Sequence, residues 1–306
     1  MKSILITGAN GFIGSHLSKF FFNKNYKMFG IGKKKLKNKS LSFFKEYYSG
    51  EIKEDEVKSF LKVAQPDYIF HCAGSSSIQE SIKDPSNDFK SNTILTFKFL
   101  DYIRQCSPKS NFYFFSSAAV YGNPNSLPIN ESHIINPISP YGFHKFFSEN
   151  ICKEFSEIYS LNIVVLRIFS AYGKGLRRQI FYDLMKKFTN DETIKLKGDG
   201  KESRDFIHIT DLCRAIELIM KNNNRRFEVF NLGSGEEVSI EKLSKMFSYF
   251  LNSSKRIEFD LNNNKGMPLN WRSDITKLEN IGFSQIMQLN KGIEDYIEWY
   301  KKVVIN

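Results

Sequence analysis

Lys2-Ser3-Ile4-Leu5-Ile6-Thr7 runs directly into Gly8-Ala9-Asn10-Gly11-Phe12-Ile13-Gly14, and a helical pattern over residues 15–23 follows. A short apolar strand, a glycine loop and a helix in that order bring bare backbone close to an anionic group, whose charge the amides at the helix N-terminus stabilise. The GxxGxxG spacing differs from the GxGxxG fingerprint, and close packing of helix on strand could demand the same glycines. It is the strand-loop-helix context that makes a bound pyrophosphate the better reading.

Outward from this loop the pattern repeats. Strand candidates at 26–31, 41–48, 68–72, 111–116 and 162–169 alternate with helical stretches such as 55–64 and 88–105. Such alternation predicts an α/β fold, a Rossmann-type doubly wound parallel sheet. From about residue 171 the regularity loosens into a helix candidate at 176–189 and a turn at Gly198-Asp199-Gly200. We therefore expect a dinucleotide-binding domain over 1–170 and a smaller C-terminal α/β substrate lobe over 171–306, with the chain crossing between the two.

The 306 residues, 41% hydrophobic and with only 8 prolines, exclude a disordered or fibrous chain. No apolar run approaches the roughly 20 residues needed to cross a bilayer, and the start of the chain has no signal-peptide pattern. Cys72, Cys106, Cys152 and Cys213 lie far apart without metal-ligand spacing, so reduced thiols in a cytoplasmic protein are expected and no metal site is. The net charge of +11 raises the question of nucleic acid. Only Lys33-Lys34-Lys35-Leu36-Lys37 is clustered, however, and the other lysines are interspersed as on solvated faces, so no nucleic-acid partner is expected.

At the end of the second strand, where an acidic residue would bind an adenosine ribose diol, the chain reads Gly30-Ile31-Gly32-Lys33-Lys34. Glycine in place of the carboxylate, followed by lysines that could meet a 2′-phosphate, favours NADP over NAD; a solvated lysine loop is the alternative. Further on, Tyr141-Gly142-Phe143-His144-Lys145 sets a tyrosine and a lysine four residues apart, on one helix face. A phenol loses its proton at about pH 10, and a neighbouring ammonium favours the phenolate, which suits proton transfer. Ser117, in Phe115-Ser116-Ser117-Ala118-Ala119-Val120-Tyr121-Gly122, closes a predicted strand at the sheet edge where ligands bind.

Together these segments make the chain resemble the extended short-chain dehydrogenase/reductases, the NAD-dependent epimerase/dehydratase family, in its nucleotide-sugar branch. The resemblance runs nearly end to end. It includes TGxxGFIG at 7–14, Glu51-Ile52, Asp67-Tyr68-Ile69-Phe70-His71-Cys72-Ala73-Gly74 and Asn92. It continues through SSxxVYG, Ser139-Pro140-Tyr141 to Lys145, Arg167-Ile168-Phe169, Tyr172-Gly173, Arg204-Asp205-Phe206-Ile207-His208 and Asn231-Leu232-Gly233-Ser234-Gly235.

The resemblance implies that Tyr141 moves a proton at the sugar oxygen, that Lys145 holds the nicotinamide ribose and lowers the tyrosine pKa, and that Ser117 binds the reacting oxygen. It places Gly8, Asn10, Gly11, Phe12, Ile13, Gly14, Gly32, Lys33, Lys34, Glu51, Ile52, Cys72, Ala73, Gly74 and Asn92 along the cofactor. It places Ser76, Ser117, Ser170, Arg204 and Lys265 along the substrate, with Arg204 on the diphosphate; a structural ion pair is the alternative for Arg204. Homodimerisation through a two-helix face and a role in surface-polysaccharide biosynthesis are family-level expectations.

Departures from the family narrow the reaction. The acid-base pair that 4,6-dehydratases carry after the catalytic serine or threonine is Ala118-Ala119 here, which argues against dehydration. C4 epimerisation and 4-ketoreduction remain. Gly32-Lys33 tilts the expectation toward an NADPH-dependent 4-ketoreductase of a nucleotide-linked 4-keto sugar, with an NDP-hexose 4-epimerase holding NAD tightly as the alternative. Asp211 reads as a helix cap, and His71 and His208 as packed, hydrogen-bonded residues.

Overall fold

The computed structural model describes residues 1–36, 38–50, 53–223, 225–261 and 266–305. Its centre is a seven-stranded parallel sheet flanked by helices. The strands are β1 (Ser3–Thr7), β2 (Lys27–Gly32), β3 (Glu46–Ser49), β4 (Tyr68–His71), β5 (Asn111–Ser117), β6 (Asn162–Ile168) and β7 (Phe227–Leu232), in the order 3-2-1-4-5-6-7. β1 pairs with β2 in the register Ser3↔Lys27 to Thr7↔Ile31 and with β4 from Ile4↔Tyr68 to Thr7↔His71, so three strands end at one level. Order reverses beside β1, and the crevice of such a sheet opens at that point. Every residue of β1 and β4 is buried, as expected where helices cover both faces.

The chain divides into two compact units: Met1–Tyr121, Pro137–Arg167 and Lys221–Phe230 form the first, and Gly122–Asn136, Ile168–Met220 and Asn231–Asn306 the second. In the first, Val57, Phe60 and Leu61 of helix α2 (Glu54–Ala64) and Phe99, Leu100 and Ile103 of α3 (Leu95–Cys106) pack on Leu5, Ile69 and Phe112 of the sheet. Phe21 of α1 (Phe12–Phe22) meets Phe70 from the other side.

In the second unit, Phe181 gathers the rings of Tyr172, Phe206, Phe247 and Tyr296 around it. Asp205, fully buried, accepts hydrogen bonds from the backbone amides of Ser234, Gly235 and Ser273 and from the hydroxyls of Ser234 and Ser273. One carboxylate thus ties together three chain segments. No described helix is long and apolar enough to cross a membrane.

Three sequence expectations are corrected. The third strand is confined to Glu46–Ser49, because Phe43 and Phe44 turn back through amide bonds to Ser40 and Leu41 and spend their rings on Phe22 and Tyr47. The helix expected over 88–105 is interrupted by a π turn at Lys90–Ile94. A seventh parallel strand, β7, arises from Phe227–Leu232, in the region where the strand-helix alternation was expected to loosen. Glu51, Ile52 and Lys265 lie outside the described residues.

Replacing Asp205 with Ala would leave several buried donors without an acceptor. At 1–3 kcal/mol for an unsatisfied buried group, we expect a loss of roughly 3 kcal/mol or more, read as a lower urea midpoint at unchanged slope.

Candidate active site

Gly8 leaves β1 with φ +66°, and a Cβ there would lie 2.8 Å from the Ala73 amide and the Cys72 carbonyl. A Cβ on Gly14 would lie 2.3 Å from the Gly8 carbonyl oxygen, so α1 starts flush against the strand that feeds it. Gly11, the helix N-cap, offers no side-chain acceptor to the first-turn amides, and that turn holds no acidic residue. Such an N-terminus stabilises an anion. At the end of β2, the space a Cβ of Gly32 would take is filled by the ends of Tyr47 and Asn10, while Lys33 and Lys34 are exposed beside it.

Beyond β4, Cys72, Ala73 and Gly74 form the opposite wall of the loop. A Cβ on Gly74 would lie 2.6 Å from Asn92 Oδ1. Asn92 sits in the π turn, 1% exposed, and neither polar atom of its side chain has a hydrogen-bond partner. Buried amides are rarely left so, and π turns recur at functional sites. A buried amide awaiting partners, bare glycine backbone and an uncapped helix end are together what a phosphate-bearing dinucleotide requires.

His71 shares a 2.9 Å hydrogen bond with Thr7, whose hydroxyl also accepts from the Ala73 amide, and stacks on Phe99. Burial, with a smaller push from the Lys145 charge, drives its pKa down to about 3, so the imidazole is neutral. It is a packed residue, as the sequence suggested.

Helix α4 (Pro140–Tyr159) carries Tyr141 and Lys145. Pro140 at its first turn has no N–H to satisfy. The next two amides are both met: Tyr141 N–H donates to Ser81 Oγ at 3.1 Å and Gly142 N–H to the N-cap Ser139 Oγ at 3.2 Å. A Cβ on Gly142 would lie 2.6 Å from the Ala119 carbonyl oxygen, so the helix is docked against the 3-10 turn Ala118–Tyr121 that follows Ser117. Ser117 Oγ accepts the Ala119 amide.

Lys145, 5% exposed, donates to the Phe115 carbonyl at 2.9 Å and lies over the rings of Phe114 and Tyr141. Burial lowers its pKa to about 8, against the opposing charges of Asp88 and, more weakly, Cys72, Cys152 and Glu149. Its ammonium therefore bridges β5 and the tyrosine. One turn further, Glu149 is gripped by Arg167, which also reaches Tyr121, and accepts from Ser116.

The second unit is described by itself. Arg204, 9% exposed, donates to the carbonyls of Ser203 at 2.6 Å and Leu269 at 3.2 Å and lies over the Trp271 ring at 5.4 Å. Among the described residues it has no ion-pair partner, which disfavours the structural ion pair, and burial lowers its pKa to about 10. Ser170 is tied by its amide to the Asp205 carbonyl. In the first unit, Ser76 Oγ is buried without a partner.

The residues sequence reasoning missed are Ser81 and Asp88. Both act through contacts 56–60 positions away in the chain, for which no local pattern exists.

Residues 4–233 match the model of the NAD dependent epimerase/dehydratase family. The UDP-glucose 4-epimerase of Mycoplasma genitalium is 30% identical over 259 residues, 76% of each chain. The structure of the Thermotoga maritima UDP-glucose 4-epimerase with UDP-glucose superimposes with a TM-score of 0.89 at 27% identity over 99% of both chains. That of the Bacillus cereus UDP-glucuronic acid 4-epimerase, with UDP-glucuronic acid and NAD, gives 0.90 at 28% over 99% of this chain and all of the other. With the glycine loop, the Tyr141–Lys145 helix and these likenesses in hand, the chain belongs to the NAD dependent epimerase/dehydratase family.

Proposed function

We propose that this protein is a C4 epimerase of a UDP-linked hexose or hexuronic acid. The observation that carries the reading is the buried Lys145 ammonium lying against the ring of Tyr141, its proton held to about pH 8. The 4-epimerases among its relatives favour this over the net ketone reduction that Gly32-Lys33 suggests in sequence.

A bound nicotinamide dinucleotide supplies a hydride acceptor that can return the hydride to the opposite face of the ketone. Gly8, Asn10, Gly11, Phe12, Ile13, Gly14, Cys72, Ala73, Gly74 and Asn92 would hold it, with Gly32, Lys33 and Lys34 at its adenosine end. Tyr141 as phenolate takes the proton from the sugar O4 as C4 is oxidised and gives it back on reduction. Lys145 stabilises the phenolate through space. Ser117 donates a hydrogen bond to O4, holding it for the transfer. Arg204, a buried guanidinium with no ion-pair partner among the described residues, would supply the fork for a diphosphate. Ala118 and Ala119 offer no acid or base for eliminating water, which supports epimerisation over dehydration.

Incubating the protein with UDP-glucose, UDP-glucuronic acid and their N-acetyl analogues plus NAD, without added reductant, should give the C4 epimer of one of them by proton NMR. Tyr141→Phe should lower that turnover by roughly a thousandfold, within the range for loss of a general acid-base group, while dinucleotide binding persists. Turnover retained by the variant would end the reading.

One observation favours a second reading, NADPH-dependent 4-ketoreduction: Gly32 has no carboxylate to repel a 2′-phosphate, and Lys33 and Lys34 are exposed beside it. Mass spectrometry of the dinucleotide released on denaturation, with NADH and NADPH titrations of stripped protein, separates the two. Tightly held NAD supports the epimerase; an empty site preferring NADPH supports the reductase.

We further propose a homodimer working in the reducing cytoplasm, where its four cysteines remain thiols. Phe143 and Phe147 are each 43% exposed one turn apart on α4, and Phe97 is 46% exposed on α3. Phe147→Lys should convert a dimer into a monomer by light scattering, with the circular dichroism spectrum unchanged.

A further inference from the structure

Two glycines near the end of β2 make room for one aromatic ring. Gly30 and Gly32 are two residues apart, so both lie on the same face of the strand. Tyr47 of β3 is the register partner of Gly30. A Cβ on Gly30 would lie 2.7 Å from Tyr47 Cδ2 and 2.8 Å from Phe44 Cε1, and the Phe44 and Tyr47 rings sit 5.4 Å apart between centroids. The Tyr47 ring therefore runs along β2 from Gly30 and delivers its hydroxyl beside Gly32.

There it meets a second segment. The Ala9 amide donates to the Ile31 carbonyl at 3.1 Å, which docks the glycine loop on the end of β2 and brings Asn10 to the same spot. Tyr47 Oη and Asn10 Oδ1 would both lie within 2.6 Å of a Cβ on Gly32. An aspartate at that position would hold its two carboxylate oxygens roughly 2.4 Å from its Cβ by standard bond lengths. Two neutral oxygens, from two segments, thus stand at the radius of the carboxylate that the position lacks.

The phenol is anchored from the other side. Its O–H donates to the Lys34 carbonyl at 2.8 Å, and burial pushes its pKa up, so it stays neutral. With its proton engaged there, the oxygen keeps lone pairs to accept a further hydrogen bond. At the end of the second strand of such a sheet, a carboxylate accepts from the 2′-hydroxyl of an adenosine ribose.

We infer that Tyr47 Oη, with Asn10 Oδ1 beside it, receives the adenosine 2′-hydroxyl of the bound dinucleotide in place of the absent carboxylate, an assignment that rests on the dinucleotide site described above. Gly32 is then a space kept for the phenol. Being neutral, the phenol accepts a hydroxyl without repelling a 2′-phosphate as a carboxylate would.

The test is a binding cycle by isothermal titration calorimetry on protein freed of dinucleotide, with two probes: NAD, and NAD lacking the adenosine 2′-hydroxyl. Tyr47→Phe should bind NAD roughly three- to tenfold more weakly than the parent, the worth of one hydrogen bond. Parent and variant should bind the deoxy probe within about twofold of each other, since the contact is missing from both complexes. A hydroxyl that only tethered Lys34 would weaken both probes alike. That result, or an unchanged affinity of Tyr47→Phe for NAD, would overturn the inference.

In Gly32→Asp the new side chain enters the space that the phenol occupies, so NAD affinity should fall. A tighter NAD complex, as expected of a glycine that merely lacks an acid, would overturn the inference as well. Should Gly32→Asp fail to fold, the Tyr47→Phe cycle decides alone. Neither measurement needs a sugar nucleotide or turnover. Absent epimerisation with the cycle as expected would count against the proposed function alone, whereas a parent that binds neither probe would overturn the dinucleotide site and this inference together.

Discussion

The candidate site depends on one ammonium taken out of water. Lys145 is held by a single carbonyl, the faces of two aromatic rings and the field of nearby acids. Burial pulls its pKa down, to about 8. The ammonium lies over the face of the Tyr141 ring, the group to which the proposed reaction gives the proton transfer. Rigidity follows from the same demand. A lysine placed this way works only if its helix cannot slide, and the contacts of α4 are of the kind that forbid sliding: two satisfied amides at its start, a glycine against a backbone carbonyl, and the Glu149–Arg167 pair two turns in.

Arg204 shows a related economy in the second unit. Two backbone carbonyls and an indole face hold the guanidinium in place without cancelling its charge. Arg167, by contrast, has its charge met by Glu149 at 2.7 Å.

Much of the first unit was legible in the sequence because its strands are short, apolar and buried on both faces, and because the glycines at 8, 11 and 14 have steric reasons that local spacing betrays. Legibility failed where tertiary contacts overrode local pattern. The apolar stretch before Glu46 reads as strand, but its phenylalanines find partners by turning. The π turn at 90–94 has no composition of its own. β7 follows a polar, basic segment that masks it. Tyr141, Lys145 and Ser117 could be named from short motifs, whereas Ser81 and Asp88 carry no motif, and their parts are visible only as contacts across more than fifty residues. Gly32 pointed toward one cofactor and the relatives toward the reaction of another, a tension that side-chain packing around Tyr47 and Asn10 does not remove.

The order in which the chain builds its sheet has a consequence for synthesis. β1 to β6 are complete once residue 168 has left the ribosome, but the strand that covers β6 arrives only with residues 227–232. Through some sixty residues of elongation the nascent sheet presents an open, apolar edge, Ile163 to Ile168, of the kind that recruits foreign strands. Closing that edge is the last act of the first unit, so a chain cut between residues 168 and 227 carries β6 with its outer edge uncovered.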